Sequence, residues 1–355
     1  MHNKSNTLKI VALYATMAPR RHVAVGISFV VFLILAYEAL WAPNNFSAPD
    51  KIAIVSKGES FSHIADSLSA RGVVSHPLLF KTVGKIFGYT HKMKVGKYSF
   101  KSGISNLEIL RDLSGGFSMV NSSITLFEGM NGRQIAKLLC REVGIDSARF
   151  VSLLKDTSLI GIQGNESPTL EGYLLPDTYN FYWQDDEKEI IKRMTSEFKK
   201  FFSDSLQQRM KRMNVSLNEV LTMASIVEAE AMLDKERPII AGVYYNRLRK
   251  RMRLEADPTV KYIIADGRRI YRSDLHIDHP YNTYMNYGLP PGPINNPGRK
   301  SIFAALYPAK HSYLYFVADG QTGGHRFAKS FSEHQNNVRL YRKARALAHQ
   351  HNGNG

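Results

Sequence analysis

The residues best suited to chemistry lie in Ser216–Met232, SLNEVLTMASIVEAEAM. Ser216 and Glu219 have capping-box spacing, which predicts a helix starting there. Leu217, Leu221 and Ala224 follow the helical period, and Glu228 is the next residue on that face. At 3.6 residues per turn Glu228 lies about 20° from Leu217 around the axis, with Glu230 nearly opposite. A carboxyl facing a core is costly unless it is paired or protonated. Desolvation favours the neutral form, which a general acid needs. The other reading is a structural glutamate bridging to a buried arginine such as Arg247, and helix geometry alone leaves both open.

Downstream of this helix the chain can hold polar groups on rigid loops. Glu236-Arg237-Pro238 opens another helix, with the proline early in it. Its end, Asn246–Arg253 (NRLRKRMR), is dense in cations and fits an anionic ligand, a membrane surface or plain solvent. Asp257-Pro258 reads as a tight turn. Tyr281-Asn282-Thr283-Tyr284, the proline-rich Gly288–Pro293 and Asn295–Gly298 then supply aromatic rings and amides of the kind that build sugar sites. His276 and His279 have the spacing of a ligand pair, but their proline-containing loop suits ordinary surface histidines, so neither metal nor cofactor is expected. Phosphate-cradling glycine loops and nucleophilic-serine signatures are absent from the sequence.

The elements that must position these groups begin at a membrane. Residues 23–37 (VAVGISFVVFLILAY) are unbroken apolar or small residues, and the whole stretch 22–42 approaches the ~20 residues needed to cross hydrocarbon. Lys4, Lys9, Arg20 and Arg21 precede it, which places the N-terminus in the cytoplasm and everything after Pro43 outside. A cleaved signal peptide is the rival reading, weakened by the length of the run and the lack of a clean small-x-small site. The chain of 355 residues carries a net charge of +16. That charge permits nucleic acid, anionic lipid or a polyanionic wall polymer as partner. Export removes nucleic acid. The single cysteine, Cys140, forms no intramolecular disulfide and is expected as a small buried residue on a helix.

Past a spacer at 43–50, Ile52–Val55 is a short strand, Gly58 turns, and Ser60 caps a helix whose stripe is Ile64, Ala65 and Leu68. The pattern returns with Ile124, Leu126 and Phe127, Gly129, and the stripe Ile135, Ala136, Leu138 and Leu139. Two strand–turn–helix units of one design resemble the LysM-like units that bind amino-sugar polymers. Between them, 92–100 (KMKVGKYSF) reads as a basic edge strand and Leu107–Leu113 as a helix ended by Gly115-Gly116. Asp185–Glu189 is the acidic start of an amphipathic helix. Tyr313–Ala318 is a strand leading into a hairpin.

The segments ASIVEAE, ADPTVKY, YNTYMNYGLPPGPINNPG and HSYLYFVADGQTGGHRF, with TLEGYLLPDTY upstream, are long, unusual and in register. They resemble the YceG-like endolytic murein transglycosylases of the MltG type over nearly everything after the membrane helix. The resemblance implies an α+β chain: a single transmembrane helix, a small LysM-like region, then a mixed α+β catalytic domain. The boundaries it gives are a cytoplasmic tail at 1–22, the membrane helix at 23–42, the spacer and then the LysM-like domain at 51–120. The second strand–turn–helix unit with connecting helices comes next at 121–204, then the catalytic domain at 205–348 and a disordered tail at 349–355.

The resemblance further implies cleavage of the MurNAc–GlcNAc bond in nascent peptidoglycan with 1,6-anhydro ends, at the inner membrane, with peptidoglycan synthases as candidate partners. It makes Glu228 the catalytic acid and Glu171, Asp257, Tyr281, Asn282 and Asn295 substrate-binding positions. Family members often carry Thr where this chain has Ala231, a departure that leaves Glu228 intact. Two alternatives remain: a muramidase-type hydrolase using Glu228 with Asp257, and a non-catalytic wall-binding scaffold.

Overall fold

The computed structural model describes residues 23–162, 167–264 and 267–352, with side chains to 346. The basic residues expected to set membrane topology, and 353–355 of the expected tail, lie outside the described residues. The chain divides into two compact units, one up to Asn121 with Tyr182–Gln184, the other Ser122–Phe181 with Asp185 onward.

In the first unit, helix α1 (Val23–Leu40) is an 18-residue apolar segment of mean hydropathy 2.3, long enough to cross a bilayer. Strand β1 (Pro43–Asn44) precedes β2 (Asp50–Val55), α2 (Phe61–Ala70) and α3 (Pro77–Ile86). Strands β3 (Gly96–Lys101) and β4 (Ile104–Ser105) and helix α4 (Asn106–Gly115) complete it. Antiparallel pairing of β2 with β3, from Asp50 opposite Lys101 to Val55 opposite Gly96, closes a strand–helix–helix–strand unit. Alternation along both strands buries Ala53, Val55, Tyr98 and Phe100 against Ile64, Leu68 and Phe80 of the helices. The Ser60 side chain caps α2 by accepting from His63 N, as its position predicts. The basic strand expected from residue 92 begins only at Gly96, because Lys94 N instead bonds Leu113 O.

The second unit opens with β5 (Ser122–Thr125), α5 (Gly132–Val143), α6 (Ser147–Leu153) and β6 (Thr178–Phe181), then α7 (Glu187–Phe201) and α8 (Asp204–Met213). It continues through α9 (Leu217–Glu230), α10 (Arg237–Arg249), α11 (Asp257–Ile264) and α12 (Arg299–Leu306), and ends in the β7 (Tyr315–Ala318) and β8 (His325–Ala328) hairpin and α13 (Phe331–Asn352). One hydrophobic core runs through all of this, joining Ile135, Leu139 and Phe181 to Met223, Ile226 and Ile302. Ser216 and Glu219 form the capping box expected of them. Asn131 and Gln134 cap α5 in the same way, and Gly144 ends it in the left-handed region at φ 73°.

Three local expectations need correction. Asp257 is the first residue of α11 rather than part of a free turn, and the reversal lies just before it, where Arg251 and Glu255 have positive φ. Cys140 is exposed, because its position on α5 faces away from the Ile135–Leu139 stripe. Helix α13 extends to Asn352, through part of the stretch expected to be tail.

Candidate active site

Helix α9 positions two carboxyls with opposite fates. It is buried on every side from Val220 to Val227. Where it ends, Glu228 and Glu230 diverge.

Glu228 enters a polar knot. Its Oε1 accepts from Arg237 Nη1 at 2.7 Å, and its Oε2 accepts from the backbone N–H of Gly298 at 2.8 Å. Arg237 Nη1 also donates to Ser301 Oγ at 2.6 Å, and its Nε donates to Asp234 Oδ1 at 3.1 Å. The Glu228 and Arg237 side chains are only 5% and 8% exposed, so this is a buried ion pair with its hydrogen bonds filled. Such a pair ties α9 to the start of α10 and to the loop entering α12. The partner expected from sequence, Arg247, instead bonds Leu314 O and Leu254 O and pairs with Glu255.

Glu230 faces a cavity of about 1220 Å³. Glu171, Asp257, Asn295, Tyr262 and Tyr281 also line it, but Glu228 does not. The phenol of Tyr244 donates to Glu230 Oε1 at 2.9 Å. Burial pushes the Glu230 carboxyl up to about 7; the Tyr244 bond pulls it down, the nearby Asp257 raises it, and His325 and Arg247 lower it. Glu230 is therefore poised near neutrality between acid and base. Asp257, one wall of the same cavity, accepts from Tyr284 Oη at 2.6 Å.

Glu171 is buried and holds the backbone of the site together. Both its oxygens lie 3.0 Å from the N–H of Gly132, at the start of α5, and Oε1 accepts from Asn296 Nδ2 at 2.7 Å. Burial lifts its carboxyl to about 7 against the pull of those two bonds and of Arg133. Asn296, which sequence reasoning passed over, is the hub. Its Oδ1 accepts from the N–H groups of Gly172 and Leu174, while its Nδ2 also donates to Met130 O. Three chain segments far apart in sequence meet on one side chain.

The amides expected to touch substrate part company. Asn282 is fully buried; its Nδ2 donates to Leu275 O and Ile277 O and its Oδ1 accepts from Tyr284 N. It shapes the loop and has no free group for a ligand. Asn295 donates to Ser225 O at 2.8 Å, while its buried Oδ1 has no partner among the described residues. Asn295 also lines the cavity. Tyr281 lies against Tyr262 with ring centroids 4.9 Å apart, giving the cavity an aromatic wall.

Sequence reasoning passed over Glu230 and its donor Tyr244, which the fold brings to the cavity. Helical periodicity rightly sent the two glutamates of α9 in different directions. It could not say which direction was the cleft, because α9 has no solvent face to serve as reference. A carboxyl near neutrality beside a second carboxylate, an amide and an aromatic wall can protonate a leaving oxygen on a sugar.

Comparison with known proteins points the same way. Residues 53–340 match the model of the YceG-like family. An endolytic murein transglycosylase of Bacillus subtilis is 36% identical over 296 residues, covering 79% of this chain and 81% of the relative. Another, from Streptococcus pneumoniae, is 30% identical over 354 residues, covering 88% of this chain but 64% of that longer protein. A crystal structure of a YceG-like protein from Listeria monocytogenes superposes with a TM-score of 0.57 at 31% identity, covering 81% of this chain and 98% of that one.

Proposed function

This chain belongs to the YceG-like family, and we propose that it is a peptidoglycan lytic transglycosylase, cutting the MurNAc–GlcNAc bond within nascent glycan strands with Glu230 as its acid. The names of the relatives support the reaction class. The observation that carries the residue is the Glu230 carboxyl, raised to about 7 in a cavity shared with Asp257 and Asn295. Glu228 is the candidate that sequence favours. Its two oxygens are taken up by Arg237 and the Gly298 N–H, and it is not among the residues that line the cavity.

In this mechanism Glu230 protonates the glycosidic oxygen as the bond from C1 breaks. The MurNAc 6-hydroxyl closes onto C1, and its proton passes to the Glu230 carboxylate. Atoms balance without water: one strand ends in 1,6-anhydro-MurNAc and the other in a new GlcNAc 4-hydroxyl. Asp257 stabilises the positive charge building on the ring, and Asn295 Oδ1 accepts from the N-acetyl N–H. Tyr281 stacks against a sugar face. Asp257 also keeps a second reading alive, a muramidase in which it directs water or acts as nucleophile.

The remaining parts of the proposal are architectural. Helix α1 anchors the chain in the inner membrane with its N-terminus in the cytoplasm and the rest outside. The strand–helix–helix–strand unit after it is a LysM-like wall-binding region ending near residue 120. Residues 121–204 lead into the catalytic domain at 205–348 and supply Glu171 and Arg133 to its cavity. Cutting close to the membrane sets strand length, alongside the synthases that make the strand.

The experiment is mass spectrometry of purified glycan strands digested by the full chain in detergent, as wild type, Glu230→Gln and Glu228→Gln. Products ending in 1,6-anhydro-MurNAc, lost with Glu230→Gln and retained by Glu228→Gln, are expected. Loss only with Glu228→Gln returns the acid to the sequence candidate. Reducing ends in the wild-type digest make the enzyme a hydrolase.

A further inference from the structure

The cavity has a second chemical character that glycan cleavage does not use. Its carboxyls, Glu171, Glu230 and Asp257, share the lining with four cations: Arg133, Lys137, Lys261 and Arg269. Among the described residues, none of these four side chains has a hydrogen bond or ion pair. Arg133 and Lys137 also line a shallower groove of about 750 Å³ along α5, reaching past Cys140 to Arg141. Arg133, Lys137 and Arg141 recur every fourth residue, so one face of α5 forms a cationic track leading out of the cleft. Arg141 is partly occupied by an exposed ion pair with Glu142, which leaves Arg133 and Lys137 as the free part of the track.

The glycan backbone of a peptide-bearing strand gives such a track nothing to bind, because its rings carry hydroxyls and N-acetyl groups and its lactyl carboxyls are tied up as amides. Removing the peptide frees one lactyl carboxylate per MurNAc in place of the peptide's several. The acidic branch of the polymer is the peptide on the MurNAc lactyl group, which carries free carboxylates. We propose that Arg133 and Lys137, continued by Lys261, form a subsite for the carboxylates of the stem peptide, selecting strands whose peptides have not been removed. This rests on the glycan-cleaving reading of the cavity. The groove is continuous with that cavity through two shared residues, so a branch leaving a sugar in the cleft enters it directly. Charge-assisted contacts to carboxylates supply the selectivity. Arg133 and Lys137 are exposed on α5, so replacing them removes charge without removing core.

The test measures cleavage by the full chain in detergent on two substrates: peptide-bearing strands, and the same strands stripped of peptides by an amidase. For the Arg133→Ala/Lys137→Ala variant the ratio of kcat/KM on bearing over stripped strands falls roughly tenfold from wild type. Charge reversal at Lys137→Glu lowers it further, and added salt compresses the wild-type ratio. An unchanged ratio, or equal loss on both substrates, overturns the subsite. A wild type that cuts neither substrate removes the glycan-cleaving reading instead. The subsite is then read from fluorescence anisotropy of a labelled stem tetrapeptide. Binding of the free acid, weakened by the variant and by amidation of the carboxyls, upholds it. Binding of inorganic pyrophosphate but not of the peptide overturns it in favour of a lipid-linked headgroup.

Discussion

Glu228 and Glu230 leave the same helix end into two regions that treat a carboxyl in opposite ways. Around Glu228 both oxygens are answered, one by a cation and one by a backbone N–H, so the carboxyl fastens α9 to its neighbours. Around Glu230 there is one phenolic donor, a neighbouring carboxylate and a strong cost of burial, so the proton stays on to about pH 7. The residue type is identical. What differs is the number of donors facing it and the cavity that only Glu230 lines.

The largest expected effect breaks this contrast directly. Glu230→Gln lowers kcat/KM on glycan strands by about 10²–10⁴-fold, the usual worth of a positioned general acid, and leaves the melting temperature of the protein nearly unchanged. Rate above pH 7 tests the same group. A donor must be protonated, so activity declines as pH rises through the value near 7. Tyr244→Phe removes a bond that favours the charged form and so moves that decline to higher pH. A profile indifferent to Tyr244 would detach the rate from Glu230.

The mirror experiment is on Glu228. Glu228→Gln strands the Arg237 guanidinium in a site only 8% exposed, a change that costs about 3–5 kcal/mol when a buried pair is broken on one side. Thermal or urea unfolding reads this loss. The double variant Glu228→Met/Arg237→Met recovers most of it, because no charge is then left unpaired. If Glu228→Gln is as stable as wild type but inactive, the roles of the two glutamates are exchanged.

Glu171 extends the comparison to pH and stability. Its carboxyl is about 7 in the fold against an ordinary 4.5, so between those values the folded state binds more protons than the unfolded one. Stability contributed by this group is therefore fully present below about pH 4.5 and is lost as pH rises through about 7. Glu171→Gln flattens that decline, by at most about 3 kcal/mol for a shift of this size. Melting temperature measured from pH 4.5 to 8 checks it. A wild-type profile with no decline on the alkaline side would mean that Gly132 and Asn296 outweigh burial.

Much of this architecture was legible because its signals are local. The Ser60 cap, the Ser216–Glu219 box, the Gly115-Gly116 stop and the final hairpin each depend on a few adjacent residues. Glu171, Asp257, Tyr281 and Asn295 were singled out as site residues by resemblance, Tyr281 and Asn295 also by the chemistry of their loops, and all four line the cavity. What stayed hidden depends on contacts across sequence. The polarity of α9 was invisible because both its faces are apolar and buried. Asn296 joins segments around Met130, Gly172 and Leu174, and nothing adjacent to it in sequence says so. Asp257 looked like a turn because Asp-Pro starts helices and turns alike.

The smallest effects lie at the two asparagines that the sequence treated as equals. Asn282 spends its amide on two backbone carbonyls and its Oδ1 on Tyr284 N, in a fully buried position. Asn282→Ala strands those partners and costs about 1–3 kcal/mol of stability. Any change in KM should track the unfolded fraction and vanish at lower temperature. Asn295 spends only its Nδ2, on Ser225 O, and its buried Oδ1 has no partner among the described residues, in a residue that lines the cavity. Asn295→Ala loses one hydrogen bond of about 1 kcal/mol in the fold, but it also deletes the acceptor proposed for the ligand. KM for glycan should rise by roughly five- to tenfold with kcat little changed, and cooling should not restore it. Asn295→Asp keeps an acceptor there but loses the donor to Ser225 O, so it should spare KM more than stability. If both asparagines behave as Asn282 is expected to, the free acceptor takes no part in binding and the N-acetyl contact belongs to another group in the cavity.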